Sequence, residues 1–235
     1  MEIKVLASSS SGNCYRISDG HTALLLECGI PIKKIKEGLD FRLSEIDGCL
    51  VTHSHKDHSK AAGDVLKAGV PVHMSQGTKD ALGLDGYGIK AVKALEQFRV
   101  GTFTVLPFDT QHDAKEPLGF LVQSRETGEK LLFLTDSFYC KYRFAGLSMI
   151  MIECNYASDI LQVNIAAGTV SETLKNRLLQ SHFSLGNVKK FLQANDLSKV
   201  QAIYLMHLSA GNSDAERFKR EIQELTGRQV IVCQE

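Results

Sequence analysis

Three histidines and an aspartate fall within Thr52-His53-Ser54-His55-Lys56-Asp57-His58, in a chain of 235 residues that holds only eight histidines. The segment follows the apolar run 48–52, which predicts a buried strand, and leads into 58–68, whose spacing and composition predict a helix. Extended backbone points alternate side chains the same way, so His53 and His55 share a direction. Asp57 and His58, at the helix start, present a carboxylate and an imidazole towards a neighbouring point. One segment therefore offers two half-sites for a divalent metal. Neutral imidazole and carboxylate suit Zn²⁺, and equally Mn²⁺ or Fe²⁺, and each half-site needs further ligands from elsewhere in the chain. The competing reading is a solvated polar loop.

The run His53-Ser54-His55-Lys56-Asp57-His58 is similar to the HxHxDH motif of the metallo-β-lactamase superfamily. Later motifs follow in the same order. Gln111-His112-Asp113 resembles that family's third metal motif, Leu134-Thr135-Asp136 its bridging aspartate, and Leu205-Met206-His207-Leu208-Ser209 its closing histidine. The resemblance covers essentially the whole chain and implies one four-layer αββα sandwich, two mostly antiparallel sheets flanked by helices. It implies two metal ions: His53, His55 and His112 on the first, Asp57, His58 and His207 on the second, and Asp136 across both. Read alone, His112 is equally a turn histidine and Asp136 a strand-end cap. His21 and His73 match no motif and are expected to be structural. Where the superfamily commonly ends an early strand with aspartate, this chain has Glu27, in Leu26-Glu27-Cys28-Gly29.

The fold alone does not choose a substrate. Ser8 to Cys14, then His112-Asp113-Ala114 with Glu116 to Phe120, then Ile152-Glu153-Cys154-Asn155-Tyr156, Ser181-His182-Phe183-Ser184 and His207 to Asn212 resemble, in order, elements of the YycJ/WalJ-like branch of DNA exonucleases. The last of these also resemble transfer-RNA 3′-processing endonucleases. That likeness implies catalytic roles for Glu153 and His182, with Glu153 orienting His182 and His182 protonating the leaving 3′-oxygen or neutralising phosphate charge; in the mechanism expected, Asp57 or Asp136 steadies the attacking hydroxide. Two metals sharing a carboxylate can hold a water as hydroxide at neutral pH, which suits phosphodiester hydrolysis. The function expected is a metal-dependent phosphodiesterase, a DNA exonuclease in the first place. The alternative is a small-molecule hydrolase of a cyclic nucleotide, another phosphodiester or a thioester. Lys33, Lys34, Lys56, Lys189 and Lys190 are candidates for phosphate contacts, and Phe138, Tyr139 and Tyr156 for base stacking, against the plainer readings of solvated face and core.

The elements that must position these groups alternate in type. Strands are predicted at 2–7, 14–18, 22–28, 48–52, 71–74, 102–107, 118–124, 130–135, 147–153, 199–206 and 228–233, and helices at 31–38, 58–68, 169–180, 184–194 and 214–226. No repeat, linker or boundary interrupts them, so residues 1–235 are read as a single domain without a β-CASP insertion. With 43% hydrophobic and 23% charged residues, a sizeable core is within reach and disorder or coiled coil is excluded. Lys and Arg total 27, and so do Asp and Glu, so nucleic acid must be held by a local patch and not by net charge. No run is long enough for a membrane span and the start does not read as a signal peptide, so a cytoplasmic chain with no membrane partner is expected. The six cysteines form no CxxC pair and are expected as buried free thiols. Oligomeric state is left open by the sequence.

Overall fold

A computed structural model describes residues 1–233. Gln234 and Glu235, which the single-domain expectation includes, lie outside the described residues. The chain forms two compact units, one of residues 1–109 with 114–129, the other of residues 110–113 with 130–233.

The first unit carries strands β1 (Glu2–Ser9), β2 (Gly12–Ser18), β3 (Ala23–Leu26), β4 (Gly48–Leu50), β5 (Val72–Met74) and β6 (Ile89–Ala91) as one sheet in that order. The first three strands pair antiparallel, and β3 to β6 pair parallel. Helices α1 (Ile32–Gly38), α2 (Lys56–Ser59), α3 (Ala62–Lys67) and α4 (Gln76–Leu82) connect the parallel strands, and Leu25, Ile35, Cys49, Val51, Val65 and Val72 build its core. A separate antiparallel run, β7 (Phe98–Val100), β8 (Phe103–Asp109) and β9 (Leu118–Ser124), completes the unit.

Two local features depart from the sequence pattern. The Ser8–Asn13 cluster is not a loop, because the β1–β2 ladder runs through it to Ser9↔Gly12 and leaves a two-residue turn at Ser10-Ser11. Buried Ser8 and Asn13 are satisfied by the Tyr15 hydroxyl, 2.8 Å from Ser8 Oγ and 3.1 Å from Asn13 Oδ1. The helix expected over 58–68 is broken, since the Ala61 N–H donates to the carbonyl of Cys28 at 2.9 Å and not along the helix.

The second unit holds β10 (Lys130–Leu134), β11 (Met149–Glu153), β12 (Ala202–Met206) and β13 (Gln229–Val232), all parallel, with α5 (Ser158–Ala166), α6 (Glu172–Ser181), α7 (Leu185–Gln193) and α8 (Ala215–Thr226) between them. The expectation of mostly antiparallel sheets is thus corrected to mixed ones. The reason is visible in the strands: KLLFL, MIMIE and AIYLM are buried at almost every position, as parallel strands covered on both faces are, and do not alternate. The three-residue strands β6 and β7 and helix α5 escaped the pattern because each is too short or too evenly mixed to show a period. No helix among the described residues is long and apolar enough to cross a membrane.

Candidate metal centre

In the first unit the histidine segment lies beyond the end of β4, next to the end of its parallel neighbour β3. The ring centroids of His53 and His55 are 4.8 Å apart and those of His53 and His58 4.2 Å apart, while His58 Nε2 is 3.2 Å from Asp57 Oδ2. All four predicted residues of this segment are therefore gathered at one place.

Glu27 explains how the segment is held. Wholly buried, with its backbone at a left-handed φ of 65°, it accepts the Thr52 hydroxyl at 2.5 Å and the Thr52 N–H at 3.3 Å, and its carboxylate faces His58 Nδ1 at 3.6 Å. Burial pushes this carboxyl upward, against the pull of His58 and Thr52. Because the Thr52 hydroxyl donates to Glu27, its oxygen accepts from His53 Nδ1 at 2.9 Å, which leaves the His53 lone pair on Nε2. The longer arm of Glu27 thus serves as the anchor under the segment. Asn13 braces it from the other side, donating from Nδ2 to the Asp57 carbonyl at 3.3 Å.

Gly29 has a role that composition and spacing did not show. Its N–H donates to the Asn13 carbonyl at 2.8 Å, and the Cys28 N–H to the His58 carbonyl at 2.9 Å. A Cβ built on Gly29 would stand 1.7 Å from the Asp57 carbonyl oxygen. Three loops therefore meet backbone to backbone, and only glycine permits it.

In the second unit the predicted residues sit at the carboxyl ends of the parallel strands, where open α/β sheets place their sites. Asp136 follows β10 and His207 follows β12, both buried and both left-handed, at φ 38° and 53°. Glu153 is the last residue of β11. Asp136 Oδ2 lies 3.6 Å from His112 Nε2, and Asp136 Oδ1 lies 3.8 Å from His207 Nε2. These separations are too long for hydrogen bonds and close to the ~3.4 Å between two ligands on one tetrahedral ion with bonds of about 2.0–2.2 Å.

The outer nitrogens of both rings are anchored. His112 Nδ1 donates to the Ser181 carbonyl at 3.0 Å, which leaves the lone pair of its Nε2 towards Asp136, while His207 Nδ1 lies between Glu153 Oε1 at 3.3 Å and Asn155 Nδ2 at 3.1 Å. Asn155 Nδ2 holds the His207 carbonyl at 2.9 Å. The donor set, imidazole nitrogens aimed at the two oxygens of one carboxylate, fits a pair of divalent metals sharing Asp136.

Glu153 is not free to ligate. Oε2 accepts the N–H groups of Ser137 at 3.2 Å and Phe183 at 3.1 Å, and Oε1 is 2.5 Å from His182 Nδ1. Burial opposes its ionisation, but the His182 charge and the bonds from His182 and His207 outweigh that and hold its carboxyl below the usual range. Burial likewise depresses His182, and the Glu153 charge overturns it, leaving the imidazole above its ordinary value. The His182 ring stacks on that of His207, centroids 5.5 Å apart at 11°. Beside His112 a cavity of 580 Å³ is lined by Asp113, Phe138, Asn176 and Arg177, with Arg177 Nε 3.3 Å from Asp113 Oδ2.

Other expected contacts are reassigned. Tyr156 is buried against Leu161, Val170 and Leu178 and packs as core. Lys189 is engaged by Glu221. His73, expected to be structural, is buried and stacked on Phe98, centroids 4.8 Å apart.

Residues 32–208 match the family model described as the beta-lactamase superfamily domain. The chain belongs to this superfamily. Over 242 residues it is 26% identical to the exodeoxyribonuclease YycJ of Bacillus anthracis, covering 96% of this chain and 89% of that one. Over 229 residues it is 28% identical to the exodeoxyribonuclease WalJ of Streptococcus pneumoniae serotype 2, with 90% and 83% covered. Among solved structures it superposes on the metallo-β-lactamase fold protein YhfI of Bacillus subtilis with a TM-score of 0.74 at 14% identity, over 99% of this chain and 96% of that one. At that identity the likeness is one of fold: two mixed sheets flanked by helices, the superfamily architecture implied by the HSHKDH motif.

Proposed function

We propose that this superfamily member is a metal-dependent phosphodiesterase acting on nucleic acid, a DNA exonuclease, located in the cytoplasm. The observation that carries the reading is Asp136 with one carboxylate oxygen towards His112 Nε2 and the other towards His207 Nε2. On this reading residues 1–235 are one domain that holds two divalent metal ions, Zn²⁺ or Mn²⁺ and alternatively Fe²⁺. His53, His55 and His112 hold the first ion, Asp57, His58 and His207 the second, and Asp136 spans both. The names of the two bacterial relatives support DNA as substrate.

Bound there, two divalent ions would supply Lewis acidity and a water of lowered pKa. The chain's own residues do the rest. Asp57 orients the attacking water. Glu153 holds His182 by Nδ1, so the proton His182 delivers to the leaving oxygen travels from Nε2. Arg177, beside the cavity at His112, meets the next phosphate along the strand.

The test is hydrolysis of 5′-labelled and 3′-labelled single-stranded DNA with Mn²⁺ or Zn²⁺, beside an Asp57→Asn control. Metal-dependent release of mononucleotides from one end, lost in the control, is the expected result. Intact DNA with metals bound and a small diester such as bis-p-nitrophenyl phosphate cleaved would overturn the nuclease assignment.

A further inference from the structure

A second cavity, of 260 Å³, opens between the irregular segment 138–144 and helix α7, one residue from His182. Its walls combine two chemistries. Tyr139, Tyr142 and Phe183 offer aromatic faces, and Lys141, Arg143 and Lys190 offer cations, with no carboxylate among its described lining residues. Lys141 Nζ lies over one face of the Tyr142 ring, 5.0 Å from its centroid, and the cationic rim of Arg143 and Lys190 suits an anion, as the aromatic walls suit a flat ring.

The segment is pinned and so preformed. Asn187 Nδ2 donates to the Phe138 carbonyl at 3.1 Å, the Phe144 N–H donates to Asn195 Oδ1 at 2.7 Å, and Ser137 Oγ donates to the Tyr139 carbonyl at 2.7 Å. It is also tied to the reaction centre. The N–H of Phe183, which lines the cavity, and that of Ser137, two residues before Tyr139, both end on Oε2 of Glu153, whose other oxygen holds His182. The volume lies just under the about 300–1,000 Å³ of small-molecule sites, which suits one base and its sugar and not a duplex.

We propose that this cavity is a single-nucleotide subsite: a base unstacked from its strand lies against the tyrosines, and its phosphate is led past Phe183 towards His182 by Arg143 and Lys190. Its ligand class rests on the nuclease reading above. A subsite for one unpaired nucleotide favours single-stranded ends, because bases in a duplex are already stacked.

The test titrates the full chain with thymidine 5′-monophosphate and, separately, with inorganic phosphate, which recognises metals and cations but offers no ring. Nucleotide is expected to bind about tenfold or more tightly than phosphate, as one base stack predicts. Arg143→Ala with Lys190→Ala should weaken nucleotide binding about tenfold, and Tyr142→Ala should erase the margin over phosphate, both with melting temperatures close to that of the parent. Equal binding of the two ligands, or a Tyr142→Ala protein that keeps the margin, would overturn the proposal. DNA hydrolysis measured in parallel separates it from the reading it rests on. A nucleotide margin without DNA hydrolysis sinks the nuclease and leaves the subsite, whereas DNA hydrolysis without the margin does the reverse.

Discussion

The Nδ1 atom of His182 lies 2.5 Å from Oε1 of Glu153, a carboxylate with no solvent exposure. Such a carboxylate survives only with its lone pairs occupied, and here two imidazoles and two backbone N–H groups occupy them. On the proposed role, in which His182 acts through this contact, replacing either partner should cost nearly the same. His182→Ala is expected to lower DNA hydrolysis about 10²- to 10⁴-fold with metal content retained. Glu153→Gln should lose a similar factor, and the double variant little more than either single one, since groups acting as a unit are not additive. Multiplying losses in the kinetic cycle would show that the two work separately.

Gly29 offers a test of how the histidine segment is placed. An alanine there meets the Asp57 carbonyl at 1.7 Å and His58 N at 2.7 Å, so the backbone bearing two proposed ligands must move. Gly29→Ala should therefore lower metal content and melting temperature together. As a control, Gly186→Ala in α7, whose only neighbour is Ser184 Oγ at 3.8 Å, should leave both as they are or stabilise slightly. Metal content by plasma mass spectrometry after dialysis reads the difference.

What the sequence disclosed and what it hid follow from the range of the interactions involved. His53, His55, Asp57 and His58 were legible because their spacing is local and the backbone period alone brings them together. His112, Asp136 and His207 are far apart in sequence, and only their positions after apolar runs and the family pattern marked them. Glu27 was noticed as an exception, but its bond to Thr52 joins residues 25 apart and has no sequence period. Gly29 was invisible for the same reason: its constraint is the approach of a backbone arriving from residue 57. The parallel sense of β10 to β13 differs from the mostly antiparallel sheets that the resemblance implies, although the unbroken burial of β10 to β12 marks it.

His73 gives a pH dependence apart from the metal residues. Burial, helped by the charge of Lys90, lowers its pKa to about 4 from 6.5. The unfolded chain thus takes up a proton near pH 6.5 that the folded chain refuses until about pH 4, and stability falls as pH drops through that window. The cost is about 3 kcal/mol at the acid end. His73→Phe, which keeps a ring against Phe98, should flatten the fall in melting temperature over that range and change little above neutrality. An unchanged slope in calorimetry across the range would show that His73 takes its proton while folded.

Asp136 is the most exacting test of the metal pair. Asparagine tolerates the left-handed backbone that Asp136 adopts at φ 38°, so Asp136→Asn should fold. It keeps one oxygen and replaces the other with an amide that cannot ligate, while the negative charge of the carboxylate is gone. If the residue serves one ion only, the variant loses one metal and keeps the other with undiminished affinity, as His207→Ala should. If it spans both, the ion that stays behind must also bind more weakly, by about 10- to 100-fold on the scale of altered metal surroundings. Titration with a chelator of known affinity distinguishes the cases. The separations of 3.6 Å and 3.8 Å to two different imidazoles predict the second outcome.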